Sequence, residues 1–276
     1  MLRIMVDSAS DFLPGDELID FFIPVSVSID GKEYRDGVDL DKDSFYKLLC
    51  SANEFPRTSQ PSPEIFFQHF LNVQKAGDEL IYFPLSSALS GTCQSARIAK
   101  EMCGYEGIYI VDSLCATHLI AYLVQQARKL QELGLPTAEI VKSCEDLKGR
   151  LRIYAGVDEL EYLRRGGRLS GAAAAVGTLA GIKPILSINA SGCISAVGKA
   201  MGFRRALQTL TDKVSHHDID INFPVRTLYS FGVENCSALE QALAARDIKV
   251  ESRAQVGSTI GAHVGPGLYG IIFVEK

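Results

Sequence analysis

The chain has 276 residues, of which 47% are hydrophobic and 22% charged, so it encodes a folded globular protein long enough for two domains of ordinary size. Its formal net charge of −5 argues against nucleic acid as the main partner. The seven cysteines are an odd number without a C-x-x-C pair, which indicates reduced, mostly buried thiols rather than disulfides or zinc ligands.

The amino-terminal residues lack the features of an export signal. Residues 1–6 run directly into Asp7 without a basic start or a long apolar core. The longest apolar tract, residues 172–182, is interrupted by glycine and threonine and is too short to cross a bilayer. We therefore expect a soluble, cytoplasmic protein.

Strands and helices alternate through the first half of the chain. The predicted strands are residues 2–6, 22–29, 80–85 and 107–111, with a hairpin signal at 30–31. The predicted helices begin near residues 14, 42, 62, 92, 115 and 137, and the last one ends at 148. This alternation implies a mostly parallel sheet with helices on both faces. Polar turns after several strands would then line the sheet edge at which such folds bind ligands.

The pattern changes after Gly149. The predicted strands of the second half are residues 151–157, 183–189, 193–198, 225–231, 248–254 and 271–274. The predicted helices are residues 158–165, 172–180, 201–214 and 237–246, and a glycine-rich segment, 257–270, leads into the last strand. A mixed sheet with covering helices fits this order. We therefore predict an α/β protein of two domains, residues 1–149 and residues 150–276.

A cluster of hydroxyl residues lies between the strand at 80–85 and the helix that follows it. Ser90, Gly91 and Thr92 stand at the start of that helix, where unpaired N–H groups and a partial positive charge favour anions. This junction predicts a carboxylate or phosphate ligand. The alternative is that Ser90 only caps its helix.

Familiar cofactor and metal motifs fail on inspection. The G-x-G-x-x-G at 265–270 is followed by a strand instead of a helix, and the P-loop-like run at 192–200 has the wrong glycine spacing and ends in alanine. Asp7-x-Ala9-x-Asp11 lacks a central oxygen ligand, and His216-His217 reads as an exposed turn. We therefore predict neither a metal nor a cofactor.

A histidine in a glycine-rich segment is the most distinctive single residue. His263 lies among glycines that permit close backbone approach. Together with Thr58 and Ser90 it would offer hydrogen-bond donors to two carboxylate oxygens, although the sequence does not show that the three meet. Basic side chains also gather at Arg164, Arg165 and Arg168 and at 204–205, where they would face phosphate, an acidic partner or solvent.

Six sequence blocks together resemble the signature of the DegV family, the bacterial fatty-acid-binding proteins that serve as carrier subunits of fatty acid kinase. The blocks are VDSASD at 6–11, RTSQPSP at 57–63, SSALSGTCQSA at 86–96, VDS at 111–113, LEYLRRGGRLSG at 160–171 and GAHVGPGLYG at 261–270. They occur in order from the first predicted strand to the last.

The resemblance implies a long-chain fatty acid in a tunnel between the two domains. Its carboxylate would be held by Thr58, Ser90 and His263, which match the family's TSQPS, SGT and GxHxGPG motifs. The family presents this head group to a separate kinase catalytic subunit, which makes the acyl phosphate for phospholipid synthesis. Arg164, Arg165 and Arg168 would contact the kinase or the phosphoryl group. Such a carrier is not catalytic alone, and its role allows transient membrane contact.

The sequence departs from the family's pattern at two places, and it leaves two alternative functions open. Cys93 replaces a frequent aromatic residue and residues 117–122 are bulky, so the tunnel shape and the preferred acyl chain are undetermined. One alternative is an acyl-transfer or hydrolase enzyme with Ser90 as nucleophile and His263 as base, although Ser90 is not in a G-x-S-x-G elbow. The other is a binder of phosphorylated small molecules, which rests only on the helix-end chemistry.

Overall fold

The computed structural model describes residues 1–169 and 181–276. Its strands, β1 to β13 in chain order, are Leu2–Asp7, Phe21–Ile23, Ser26–Ile29, Lys32–Arg35, Arg57–Ser59, Glu79–Phe83, Ile108–Ile110, Leu151–Gly156, Ile182–Ile188, Ile194–Met201, Arg226–Tyr229, Ser252–Gln255 and Tyr269–Val274. Its described helices, α1 to α9, are Lys42–Ser51, Pro63–Ala76, Thr92–Cys103, Leu119–Glu132, Thr137–Lys148, Glu161–Arg165, Phe203–Val214, Glu234–Ala244 and Ser258–Val264. The predicted helix at 172–180 lies outside the described residues.

Four parallel strands of the amino-terminal half form one sheet in the order β2-β1-β6-β7. Successive residues of β1 face opposite sides, so Met5 packs with α2 and α3, whereas Ile4 and Val6 pack with α4 and α5. Helices therefore cover both faces, as predicted from the alternating pattern.

Six strands form a mixed sheet in the order β10-β9-β8-β13-β11-β12. One face carries Tyr269 and Ile271 of β13 and packs against α7 and α8. The opposite face carries Ile272 and joins the main core, which also contains residues of α4. Helix α4 contacts strands of both sheets, and seven of its fourteen residues are buried. The predicted fold class, a parallel sheet with helices plus a mixed sheet with helices, is confirmed.

A third, three-stranded sheet has the order β4-β3-β5. Its β3-β4 hairpin turns at the predicted residues 30–31, but strand β5 and the separate sheet were not predicted. The sequence predicts one strand over 22–29, but the chain divides there into β2 and β3, which join different sheets. Pro24 stands at the division and has no N–H for a ladder. The helix predicted from Pro14 is also wrong, because residues 14–18 form turns.

Two helices of the first half begin where the sequence predicts, near residues 42 and 62. Asp41 caps α1 by accepting a hydrogen bond from the Ser44 amide, and α2 begins with Pro63 directly after Ser62. Within the described residues, no helix combines the length and apolar character that a membrane crossing would require.

Candidate functional site

A cavity of about 160 Å³ lies between the main-core face of the mixed sheet and the strand ends of the amino-terminal half. A single ordered water needs only on the order of 10–15 Å³ of such space. The apolar lining comprises Val25, Leu85, Leu89, Ala116, Ile153, Ala155, Leu163, Leu186, Ile188, Ile194, Leu228, Val256, Ile260, Val264 and Leu268. The polar lining comprises Thr58, Gln60, Ser90, Thr117, Arg168, Ser187, Thr259 and His263. The cavity is therefore an apolar space with a few polar groups.

Thr58, Ser90 and His263, which come from three distant segments, all line this cavity. Thr58 Oγ1 and His263 Nε2 share a hydrogen bond of 2.9 Å. Thr58 lies on the edge strand β5 and His263 on the last turn of α9, so the three-stranded sheet and α9 together bring them into contact. The sequence could not show this meeting, because it depends on strand β5 and helix α9, neither of which was predicted.

Ser90 lies one residue before Gly91, the N-cap residue of α3, at the junction that the sequence singled out. Its Oγ accepts a hydrogen bond of 3.2 Å from the Thr92 amide and shares one of 2.8 Å with Thr92 Oγ1. The hydroxyl thus serves the helix end and borders the cavity as well. The capping interpretation and the ligand-binding interpretation are compatible at this residue.

The three arginines of the 160–171 block occupy different positions. Arg168 lines the cavity, half-buried, and donates to the carbonyl oxygens of Leu89 and Gly166. Within the described chain no carboxylate lies at salt-bridge distance from its guanidinium, and burial lowers its pKa. Arg164 and Arg165 are exposed and both bind Glu161. The structure therefore brings only Arg168 to the cavity.

His263 is an uncharged imidazole at neutral pH in this setting. Burial, with a contribution from the nearby charge of Arg168, lowers the pKa of His263 to about 4. Its Nδ1 is buried and has no partner among the described residues, and it packs so tightly on Gly166 that a Cβ there would lie 2.2 Å from it. A bare nitrogen tolerates this isolation better than an N–H group. We therefore assign the proton to Nε2, which donates to Thr58 and leaves the Thr58 hydroxyl proton available to a ligand.

Helix α9, which carries His263, is anchored by two buried carboxylates of the amino-terminal half. Asp11 accepts a hydrogen bond of 2.7 Å from the Gly257 amide. Asp36 accepts the amides of Ser258 and Thr259, at 3.2 and 2.9 Å, and the Thr259 hydroxyl at 2.6 Å. Burial raises the pKa of both acids. Asp11 belongs to the VDSASD block, which is its signal in the sequence, whereas Asp36 lies outside every block that the sequence singled out.

A third buried acid, Asp7, shapes the loop after β6. Its Oδ2 accepts hydrogen bonds of 2.9 Å from the Leu85 amide and from the Tyr82 hydroxyl. Burial nevertheless dominates and raises the pKa of Asp7 from 3.8 to about 6. The leucine that Asp7 holds lines the cavity.

The raised pKa of Asp7 gives a pH dependence that can be measured. Because the folded state holds this proton more tightly, the stabilisation is present below about pH 4 and is lost as the pH rises to about 6. The loss is about 3 kcal/mol in the free energy of unfolding. Urea unfolding of the native chain and of Asp7→Asn across this range checks it. Their difference should change by about that amount, and parallel pH profiles would contradict the assignment.

No group of three or more His, Cys, Asp or Glu side chains suited to a metal ion occurs within residues 1–169 and 181–276. His216 is exposed, as expected for both histidines of this turn, whereas His217 is half-buried and shares hydrogen bonds with the Tyr154 hydroxyl and the Glu275 carboxylate. Cys93, the first departure from the family's pattern, is buried but does not line the cavity. Thr117 does line the cavity, and it belongs to the bulky segment 117–122, which is the second departure. Of the two departures, the bulky segment therefore bears on the shape of the cavity.

Known proteins resemble this chain over its whole length. A family model described as "Uncharacterised protein, DegV family" matches residues 1–276. A DegV domain-containing protein of Caldanaerobacter subterraneus is 35% identical over 280 residues, covering 100% of this chain and 99% of the relative. Such identity over the full length of both chains is far beyond a shared motif.

Two solved structures share the whole fold. A DegV family protein from Thermus thermophilus, described as binding fatty acid, superposes with a TM-score of 0.88 at 30% identity, covering 100% of this chain and 99% of that one. A protein from Eubacterium ventriosum, described as stearic acid-binding, superposes with a TM-score of 0.87 at 28% identity and the same coverage. Both descriptions concern ligands with one carboxylate and a long apolar tail.

Proposed function

Because this chain belongs to the DegV family, we propose that it is a long-chain fatty-acid-binding protein that buries the acyl tail in the cavity and holds the carboxylate at its polar lining. The observation that carries this proposal is the meeting of Thr58, Ser90, His263 and Arg168 on one apolar cavity. The two related structures described as fatty-acid-binding support it.

The head-group chemistry fits an anion. The Thr58 and Ser90 hydroxyls are donors, and Arg168 is a half-buried cation without a described counterion. A ligand carboxylate would supply that missing charge, and hydrogen bonds to an ionised group are stronger than neutral ones. His263 would act through Thr58, since its Nε2 is already bonded to that hydroxyl.

The apolar lining fits the tail. Burying about fifteen methylenes at about 0.8 kcal/mol each would contribute on the order of 12 kcal/mol before the costs of ordering and association. The tail would therefore supply most of the affinity, whereas the few polar groups fix which end of the ligand lies where.

We further propose that the protein presents the carboxylate to the catalytic subunit of a fatty acid kinase, which makes the acyl phosphate for phospholipid synthesis in the cytoplasm. Arg164 and Arg165 support this proposal, because their side chains are 62% and 53% exposed and can contact an acidic partner, even though each is also paired with Glu161. The division between residues 1–149 and 150–276, with the ligand between them, stays part of the proposal.

The hydrogen bonds give less support to a Ser/His enzyme. Ser90 is paired with Thr92 and His263 with Thr58, so the nucleophile and base of the alternative are not bonded to each other. A working nucleophile needs its base within hydrogen-bond reach. An ester hydrolysis assay on the native chain and on Ser90→Ala would detect such an activity.

The proposed function predicts that the purified protein carries fatty acid. Mass spectrometry of a solvent extract of the denatured protein should find stoichiometric long-chain fatty acid. Thr58→Val and Ser90→Ala should each weaken retention roughly tenfold, since a hydrogen bond to a charged group contributes about 1.5–3 kcal/mol. Ser87→Ala is the matched control, because Ser87 is an exposed hydroxyl of the same loop that does not line the cavity.

Two outcomes would contradict the proposal. A native protein that neither carries fatty acid nor binds it on addition would remove the function. Retention unchanged in both Thr58→Val and Ser90→Ala would leave the function intact but remove the assigned head-group site.

A further inference from the structure

The floor of the cavity is a row of directly paired residues across the mixed sheet. Register joins Leu186 of β9 to Ala155 of β8, Ala155 to Gly270 of β13, and Gly270 to Leu228 of β11. Residues directly opposite each other on neighbouring strands point to the same face. Three members, Leu186, Ala155 and Leu228, line the cavity.

The row is shallow in its middle. Leu186 and Leu228 are three strand spacings apart, about 14 Å, and between them stand only a methyl group and a hydrogen atom. Ala155 and Gly270 thus form a two-strand-wide trough bounded by leucines. The row beyond it, Ile153 paired with Ile272, is filled by branched side chains.

Gly270 cannot carry a side chain without disturbing the sheet. A Cβ at this position would lie 2.9 Å from the Tyr154 carbonyl oxygen and 3.0 Å from the Ala155 Cβ. These two atoms, a backbone oxygen and a Cβ, are fixed by strand β8 and cannot move away without displacing the strand. Close strand approach therefore requires glycine at 270, which leaves Ala155 as the residue whose size can change the depth of the trough.

We propose that Ala155, with the glycine beside it, determines which acyl chains the protein accepts by setting the depth of the trough in the cavity floor. This inference rests on the proposed fatty-acid binding. The tail lies across the trough, so a larger side chain at 155 removes space that tail carbons would occupy. Each methylene that loses its buried place lowers affinity roughly fourfold.

The test uses Ala155→Leu and Ala155→Gly in the full chain, exposed to an equimolar mixture of straight-chain fatty acids of graded length. Extraction and mass spectrometry then give the bound distribution. Ala155→Leu should deplete the longest chains that the native protein retains by roughly tenfold and shift the distribution to shorter ones, whereas Ala155→Gly should shift it to longer or bulkier ones.

Ala254→Leu is the matched control. Ala254 is paired with Leu228 in the same row, but it lies on the outer strand β12 and does not line the cavity. The fatty acids bound to Ala254→Leu should have the same length distribution as those bound to the native protein. A native distribution in both Ala155 variants would overturn this inference while leaving fatty-acid binding intact. Absence of fatty acid from the native protein would instead overturn the function. Should Ala155→Leu fail to fold, Ala155→Gly decides alone.

Discussion

Replacing Asp36 with alanine is expected to lower the free energy of unfolding by about 3–5 kcal/mol. Asp36 is 4% exposed and accepts three hydrogen bonds from the first turn of α9. Without the carboxylate, the Ser258 and Thr259 amides would be left without an acceptor in a dry interior, and an unsatisfied buried donor costs about 1–3 kcal/mol. The Thr259 hydroxyl would keep only its hydrogen bond with the Ser8 hydroxyl. Asn in place of Asp should recover only part of the loss, because its NH₂ group would face other donors.

Urea unfolding monitored by circular dichroism measures the change, and Asp39→Ala supplies the comparison. Asp39 also accepts hydrogen bonds, but its partner is the exposed Arg35 of its own turn. We expect only a small effect there, since exposed ion pairs contribute little. Equal midpoints for Asp36→Ala and the native chain would show that α9 is held by other contacts.

Reversing the charge of Arg168 is expected to weaken fatty acid binding roughly 100-fold, because two like charges about 4 Å apart near a protein surface repel by several kcal/mol. Arg168→Gln, which removes the charge but keeps much of the size, should fall between Arg168→Glu and the native chain. Displacement of a fluorescent fatty acid measures the affinity of each variant.

Arg165→Glu is the control for this experiment, because Arg165 carries the same charge three residues away but lies outside the cavity, 4.2 Å over the Phe55 ring. Its affinity for fatty acid should stay near the native value. If Arg168→Glu also retains native affinity, the carboxylate does not lie beside Arg168. Phosphorylation assays with the proposed kinase would then test whether Arg168 acts on the phosphoryl group.

Sequence patterns predicted those parts of the fold that depend on local chemistry. The Ser90 junction, the Asp41 cap and the alternating strands of the first sheet each follow from neighbouring residues. Helix α9 was missed because Gly261 in its interior disfavours a helix by propensity and because the helix is only seven residues long between its capping glycines, Gly257 and Gly265. Its stability comes instead from carboxylates more than 200 residues earlier in the chain.

The cavity floor could not be predicted for a related reason. The row that contains Ala155 and Gly270 exists only once the strand order is known, and β13 inserts between β8 and β11 from the far end of the chain. No spacing within the sequence encodes that neighbourhood. The arginines of the 160–171 block show the same limit. Arg168 follows Arg165 by only three residues, but of these two only Arg168 lines the cavity.

Ile153, Leu186 and Leu228 belong both to the cavity wall and to the main hydrophobic core. A void of about 160 Å³ in such a core would cost on the order of 4 kcal/mol at about 24 cal/mol per Å³. A ligand that fills the void would therefore recover this free energy and stabilise the folded protein. Ligand-free protein would unfold more often than ligand-bound protein and would be cleaved faster by proteases. The cellular abundance of the protein would therefore follow the lipid supply.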